Sequence, residues 1–309
     1  MGNTTYNPSD WAAYSRSTAT KTASQVFRAS TVSDELDAKK IIRRESRDSS
    51  ANPNSTAVII ALDQTGSMNT VLQDIVRKDL GVAFQEIHDR KPISDPHIML
   101  MTFDDANVID EGCLQVTQFE ADTTTITAQI DKMHLTNCGG GNASESYHLP
   151  LYFAATRTSI DCFEKRGNKG YLFTIGDEET PPSLTREQIK TVLGEDVEAD
   201  FSYDDCLRMA ERTYHVFHVM VAEGSHMRYS GDRVKSKWTK VLGERAILLE
   251  DHTKLGEVIV SAIQINEGAE LDDVASTWSD STALVVRNSL NTLSSARSGN
   301  VAKAGLVTF

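Results

Sequence analysis

Unbroken apolar runs alternate with segments of helical periodicity through the middle of this chain, from about residue 56 to residue 266. Six of the runs read as strands: Ala57 to Leu62, His97 to Phe103, Cys113 to Gln118, Gly170 to Ile175, Thr213 to Val221 and Ala246 to Leu249. The third is read as an edge strand. Between them the spacing predicts helices over Thr70 to His88, Thr123 to Met133, Ser144 to Phe163, Thr185 to Leu193, Tyr203 to Glu211, Gly231 to Leu242 and Thr253 to Asn266. Start signals such as the Ser-Leu-Thr-Arg-Glu that precedes Gln188 support several of these. The alternation predicts a doubly wound α/β domain over 56–266: a mainly parallel sheet with one antiparallel edge strand and helices on both faces, Rossmann-like in layout. No internal repeat is visible, which sets aside solenoids and propellers.

The flanks lose this rhythm. Residues 1–55 are rich in Ser, Thr, Asn and Ala, with one predicted helix from Ser33 to about Arg47 that starts with acids and ends in bases. Residues 267–309 return to the same composition, with one predicted helix from about Ser281 to Leu293. Both read as polar arms around the central domain. Each still carries apolar residues: Trp11, Tyr14, Phe27, Ile41 and Ile42 in one, and Trp278, Leu284, Val285, Val286 and Leu290 in the other. These are expected to cover the main domain or a neighbouring subunit, which leaves an oligomer through the arms open.

Composition narrows the partners. With 309 residues, 39% of them hydrophobic, the chain has material for one large core. A formal net charge of -13 would repel a phosphate backbone, so nucleic acid is not expected. The four cysteines form no CxxC pair, which removes a zinc or redox motif. The first residues hold no apolar signal core, and no apolar run approaches the roughly 20 residues that cross a bilayer. A cytoplasmic protein without membrane attachment is expected. Gly2 invites a myristoylation reading, but Tyr6 stands where that pattern wants Ser or Thr.

The candidate chemistry begins where the first strand ends. AVIIALDQTGSM delivers Asp63, Thr65 and Ser67 to one turn, three oxygen side chains at alternate positions, which suits a hard divalent cation. Two later loops fall where an open α/β sheet places ligands. In LTNCGGGNASESYHLPLYFAA, Gly139, Gly140 and Gly141 permit close backbone approach, and Asn142, Ser144 and Glu145 lead into a helix. In YLFTIGDEETPPSLT a strand ends at Gly176 and presents Asp177, with Glu178 and Glu179 beside it. Each loop also has a plain reading: the glycines make a tight turn, and the acids solvate a loop and cap a helix.

Taken in order, these motifs resemble the DxSxS metal-ion-dependent adhesion site (MIDAS) of von Willebrand factor A (VWA) domains, with Thr65 in place of the first serine. The resemblance covers about residues 56–266. It implies Mg2+, or Mn2+ or Ca2+, held by Asp63, Thr65, Ser67 and Asp177, the last usually through a water. It also implies a protein-binding adaptor in which a partner's Asp or Glu completes the coordination. Many members carry GGTD in the glycine loop, with a threonine that ligates directly; this chain has Gly141 and Asn142 there, so that ligand is missing. The loop is closer to the GGGD form of intracellular members, with Asn142 and Glu145 as possible outer supports of the metal or its water. Such members often work with AAA+ ATPases of the MoxR group.

The same DQTGSM also resembles the DKTGT loop of P-type ATPases and the haloacid-dehalogenase group, which would make Asp63 a phosphorylated nucleophile and the chain a phosphotransferase. Against this, Gln64 occupies the lysine position, Thr65 replaces the acid/base aspartate, and GDEETPP lacks the later aspartate of GDxxxD. No Walker GxxxxGK[ST] and no GxSxG elbow occurs. His215 and His218 lie three apart in a predicted strand and should face opposite sides. Trp238 and Trp278 are read as packing residues remote from the oxygen-bearing loops.

Overall fold

A computed structural model describes residues 5–18, 20–27, 29–76, 80–108, 112–136 and 144–294. Its centre is a six-stranded sheet of β1 (Thr56–Asp63), β2 (Pro96–Phe103), β3 (Leu114–Val116), β4 (Gly170–Gly176), β5 (Tyr214–Val221) and β6 (Ala246–Leu249), in the order β6-β5-β4-β1-β2-β3. All neighbours are parallel except β3, which runs antiparallel to β2 at the edge. This is the doubly wound α/β arrangement, and the strand ends fall close to those the apolar runs predict.

Period-two alternation sorts the strand residues between two cores. Val58, Ile60 and Leu62 of β1 face a cluster built with α2 (Leu80–Arg90), α7 (Leu255–Asn266) and α8 (Asp280–Leu290); α1 (Asn69–Asp74) adds Val71 and Leu72. Ala57, Ile59 and Ala61 face the other cluster, with α3 (His148–Arg157), α4 (Arg186–Leu193), α5 (Tyr203–Ala210) and α6 (Met227–Leu242). By this parity Asp63 belongs to the second face. His215 and His218 do lie on opposite faces, the latter with its ring stacked on Trp238 at 3.6 Å. The helix α4 begins with a capping box between Thr185 and Gln188 and ends at Gly194 in the left-handed region, φ 71°.

Three predicted elements differ. The helix expected from Ser33 to Arg47 does not form. Instead Asp37 bridges Gln115 beside β3, and Arg44–Ser46 pairs in parallel with Thr158–Ile160. Covering a sheet edge satisfies backbone groups that a free helix would leave unpaired on β3. That same pairing breaks the long helix expected over 144–163 into α3, the Thr158–Ile160 strand and a short helix Asp161–Glu164. The run from Thr70 to His88 holds two helices, α1 and α2, and residues 77–79 lie outside the described ones.

Both flanks pack on the domain. Val26, Phe27 and Leu36 from one end and Val274, Val286, Leu290 and Leu293 from the other join the first core, while Ala38 and Ile41 join the second. Tyr14, Trp278 and Val285 pack partly buried against the first. Ile42 and Leu284 remain exposed. Arg157 fastens the segment before β1: its guanidinium donates to the carbonyls of Ala38 at 2.7 Å, Ile41 at 2.6 Å and Leu193 at 2.6 Å, and pairs with Glu195 at 2.6 Å. No helix among the described residues is long and apolar enough to cross a membrane.

Candidate metal centre

From β1 the chain moves to β2 and β3 on one side, then crosses back to β4 on the other. The order therefore reverses between β1 and β4, and a crevice opens above their carboxyl ends. Asp63 is the last residue of β1, and Asp177 directly follows β4, so the two carboxylates meet at this crevice.

The DQTGSM turn folds back on its own aspartate. Asp63 Oδ1 accepts the Thr65 backbone N–H at 2.9 Å and the Thr65 hydroxyl at 2.6 Å, an Asx turn that reverses the chain as it leaves the strand. The Ser67 hydroxyl donates to Asp177 Oδ1 at 2.6 Å. The two hydroxyl oxygens lie 3.2 Å apart. Each hydroxyl thus lies within hydrogen-bond distance of a carboxylate and of the other hydroxyl, so the four side chains form one connected oxygen cluster. Asp63, Thr65 and Asp177 are buried, and Ser67 is half-buried where the crevice meets solvent.

Two further residues hold the carboxylates in place, and a third supports the loop that carries Asp177. The fully buried Tyr147 hydroxyl donates to Asp63 Oδ2 at 2.9 Å and accepts the Glu178 N–H at 3.2 Å. The His226 backbone N–H donates to Asp177 Oδ2 at 2.8 Å. Trp238 Nε1 donates to the Glu178 carbonyl at 2.9 Å, so this tryptophan packs in the core, as expected, but supports the acidic loop rather than lying remote from it. Two glycines are obligatory here. A Cβ on Gly176 would overlap the Tyr147 hydroxyl and lie 2.8 Å from Asp63 Oδ2, and one on Gly224 would overlap the Asp177 side chain.

Among the described residues no Lys or Arg pairs with Asp63, Glu145, Asp177 or Glu178, and His226 Nδ1 lies 3.8 Å from Glu178. Burial, and then the charge of Asp177, pushes the Asp63 carboxyl up; burial raises Asp177 as well, against hydrogen bonds from Ser67 and His226. Glu145 is pushed up to about 11 by burial and by Asp63 and Glu178, and Glu178 to about 7 by burial and by Asp177 and Asp105. Glu145 Oε2 and Glu178 Oε2 are buried without a hydrogen-bond partner among the described residues. Oxygen-only donors, crowded carboxyl groups and two hydroxyls in contact together fit a hard divalent cation. Among the described residues no three His, Cys, Asp or Glu side chains converge as a metal cluster, so such an ion would depend on the two hydroxyls as much as on the two carboxylates.

Asp63, Thr65, Ser67 and Asp177 are thus brought together. Glu145 lies buried nearby, its N–H donating to the Glu179 carbonyl at 3.0 Å, while Ser144 bridges Glu179. Asn142 and the three glycines before it lie outside the described residues. Sequence reasoning missed Tyr147, and it missed Asp104 and Asp105, buried just past the end of β2. The rule that singles out Asp177, an acid following a strand, applies equally to the Asp-Asp after Phe103.

No family model matches the chain, and no curated protein is similar to it. Solved structures that are similar include von Willebrand factor A domains. The pilus adhesin SpaC from Lactobacillus rhamnosus GG aligns at 10% identity over 72% of this chain and 32% of that one, TM-score 0.47. A von Willebrand factor type A protein from Catenulispora acidiphila aligns at 14% identity over 70% and 44%, TM-score 0.38. Proximal thread matrix protein 1 from the mussel byssus, with a zinc-occupied MIDAS motif, aligns at 10% identity over 69% and 48%, TM-score 0.38. The chain spans less than half the length of each.

Proposed function

We propose that this chain is a von Willebrand A-type binding module of the cytoplasm, in which Asp63, Thr65, Ser67 and Asp177 hold Mg2+, with Mn2+ or Ca2+ as substitutes. The observation that carries this reading is the unbroken run of contacts Asp63–Thr65–Ser67–Asp177 across the switch point. A bound cation would supply a Lewis-acid point open to one more oxygen, and a partner's Asp or Glu fits that need. Tyr147 and the His226 N–H orient the carboxylates, and Glu145 and Asn142 are assigned to outer support. A MoxR-type AAA+ ATPase is the first partner to test. Residues 1–55 and 267–309 are assigned as arms that dock on the domain.

The phosphotransferase reading needs Asp63 to attack phosphorus, yet both its oxygens are engaged and its side chain is buried. Titration calorimetry with Mg2+ and Mn2+ tests the proposal. Asp63→Ala should abolish binding in a folded protein, and unchanged cation affinity would remove the site. An alkali-labile phosphate on Asp63 after incubation with a phosphoryl donor would favour the enzyme instead.

A further inference from the structure

The helix α6 enters the tip beside the candidate metal. The Ser225 N–H reaches the Ser67 carbonyl at 3.3 Å, and the His226 N–H holds Asp177. In a chain of net charge -13, this helix carries five basic residues, Arg228, Arg233, Lys235, Lys237 and Lys240, against one acid, Asp232. Glu179 pairs with Arg233 and, at 3.1 Å, with Lys237. Among the described residues, Arg228, Lys235 and Lys240 have no ion pair. Tyr229 is 90% exposed, a large aromatic left in water one turn from the crevice. An open recess of about 510 Å3 runs past Met227, Arg228, Tyr229 and Lys235.

We infer that this face of α6 is the specificity surface of the module and that its occupant is an acidic segment of a partner protein. Lys235 lies seven positions after Arg228, which places them on one stripe about 10 Å apart along the axis. An extended peptide covers that distance in about three residues. One carboxylate of the segment completes the cation, and acids further along it meet Arg228 and then Lys235. Tyr229, one residue after Arg228 and so about 100° round the axis from it, flanks that stripe and packs against the side of the segment, as Tyr does at interface anchors. Asp232, on the same stripe, opposes the segment and sets a limit on its affinity. The proposal rests on the cation reading for the first contact only; the charge of α6 stands apart from it.

The test measures binding of fluorescein-labelled poly-Glu, with poly-Gln as the neutral control, to the full chain in Mg2+ by fluorescence anisotropy. Poly-Glu is expected to bind and poly-Gln not to. Arg228→Glu combined with Lys235→Glu should weaken poly-Glu at least about tenfold with Mg2+ affinity unchanged, since both residues are exposed or half-buried and neither touches the site. Tyr229→Ala should weaken it about fivefold, and Asp232→Asn should strengthen it. Failure of poly-Glu to bind, or equal binding by the charge-reversed variant, overturns the proposal. If the reversal weakens binding but EDTA and Asp63→Ala leave it unchanged, the basic face stands and the cation reading falls.

Discussion

Tyr147→Phe removes one oxygen atom and isolates what that atom does. The ring remains, wedged edge-on against Phe103, His218 and Trp238 with centroids 5.0 to 5.2 Å away, so packing is conserved. What disappears is the donor to Asp63 Oδ2 and the acceptor for the Glu178 N–H, both buried. Leaving one buried donor and one carboxylate oxygen unpaired costs about 2 kcal/mol. At about 2–4 °C per kcal/mol for a domain of this size, the midpoint should fall by about 4–8 °C. The second consequence is functional, because removing a partner that orients a metal-binding carboxylate lowers metal affinity about 10–100-fold. Scanning fluorimetry without cation reads the first effect and calorimetry with Mg2+ reads the second. A variant that melts lower yet binds Mg2+ as tightly as the parent would refute the claim that Tyr147 positions Asp63.

Other expectations follow from neighbouring features. Gly176→Ala and Gly224→Ala should each abolish cation binding or folding, whereas Gly66→Ala, with open space around its Cβ, should melt within a degree or two of the parent; equal behaviour of all three would refute the steric argument. Arg157→Ala should cost about 3–5 kcal/mol, because three carbonyls and Glu195 lose a shared buried donor, and urea denaturation would show it as a lowered midpoint at constant slope. His215 is held down to about 4 by burial and then by Lys169 and Arg245, so it stays neutral in the folded state while the unfolded chain takes a proton below about 6.5. Its contribution is complete above that pH and is lost as pH falls toward 4. The stability of His215→Leu relative to the parent should therefore rise by about 1.4 kcal/mol per pH unit on acidification through that window, and a constant difference would refute the assignment.

Which parts of this molecule were legible in the sequence follows from which forces are local. Strands buried on both faces show as continuous apolar runs, and β1, β2 and β5 were placed to within a residue at each end. The segment from Ser33 to Arg47 has helical charge order, yet its fate is decided by β3 and by Thr158–Ile160, more than seventy residues away in sequence. No window along the chain contains both partners. The same division holds at the tip. Asp63 and Asp177 were legible because strand-end acids are a local mark, whereas Tyr147 is an ordinary aromatic until tertiary packing brings it under Asp63.

The strand that carries Asp63 is hydrogen-bonded on both sides, to β2 along all eight of its residues and to β4 along five. Side chains on such a strand occupy positions in steps of two residues, so the aspartate is either over the crevice or on the opposite face of the sheet. The site's placement is accordingly a discrete variable. Gaining or losing one residue within β1 would erase it outright, while the loops that follow the strands can lengthen or change composition without moving Asp63. Variation is thereby tolerated at the rim, while the ladder beneath keeps the centre in register.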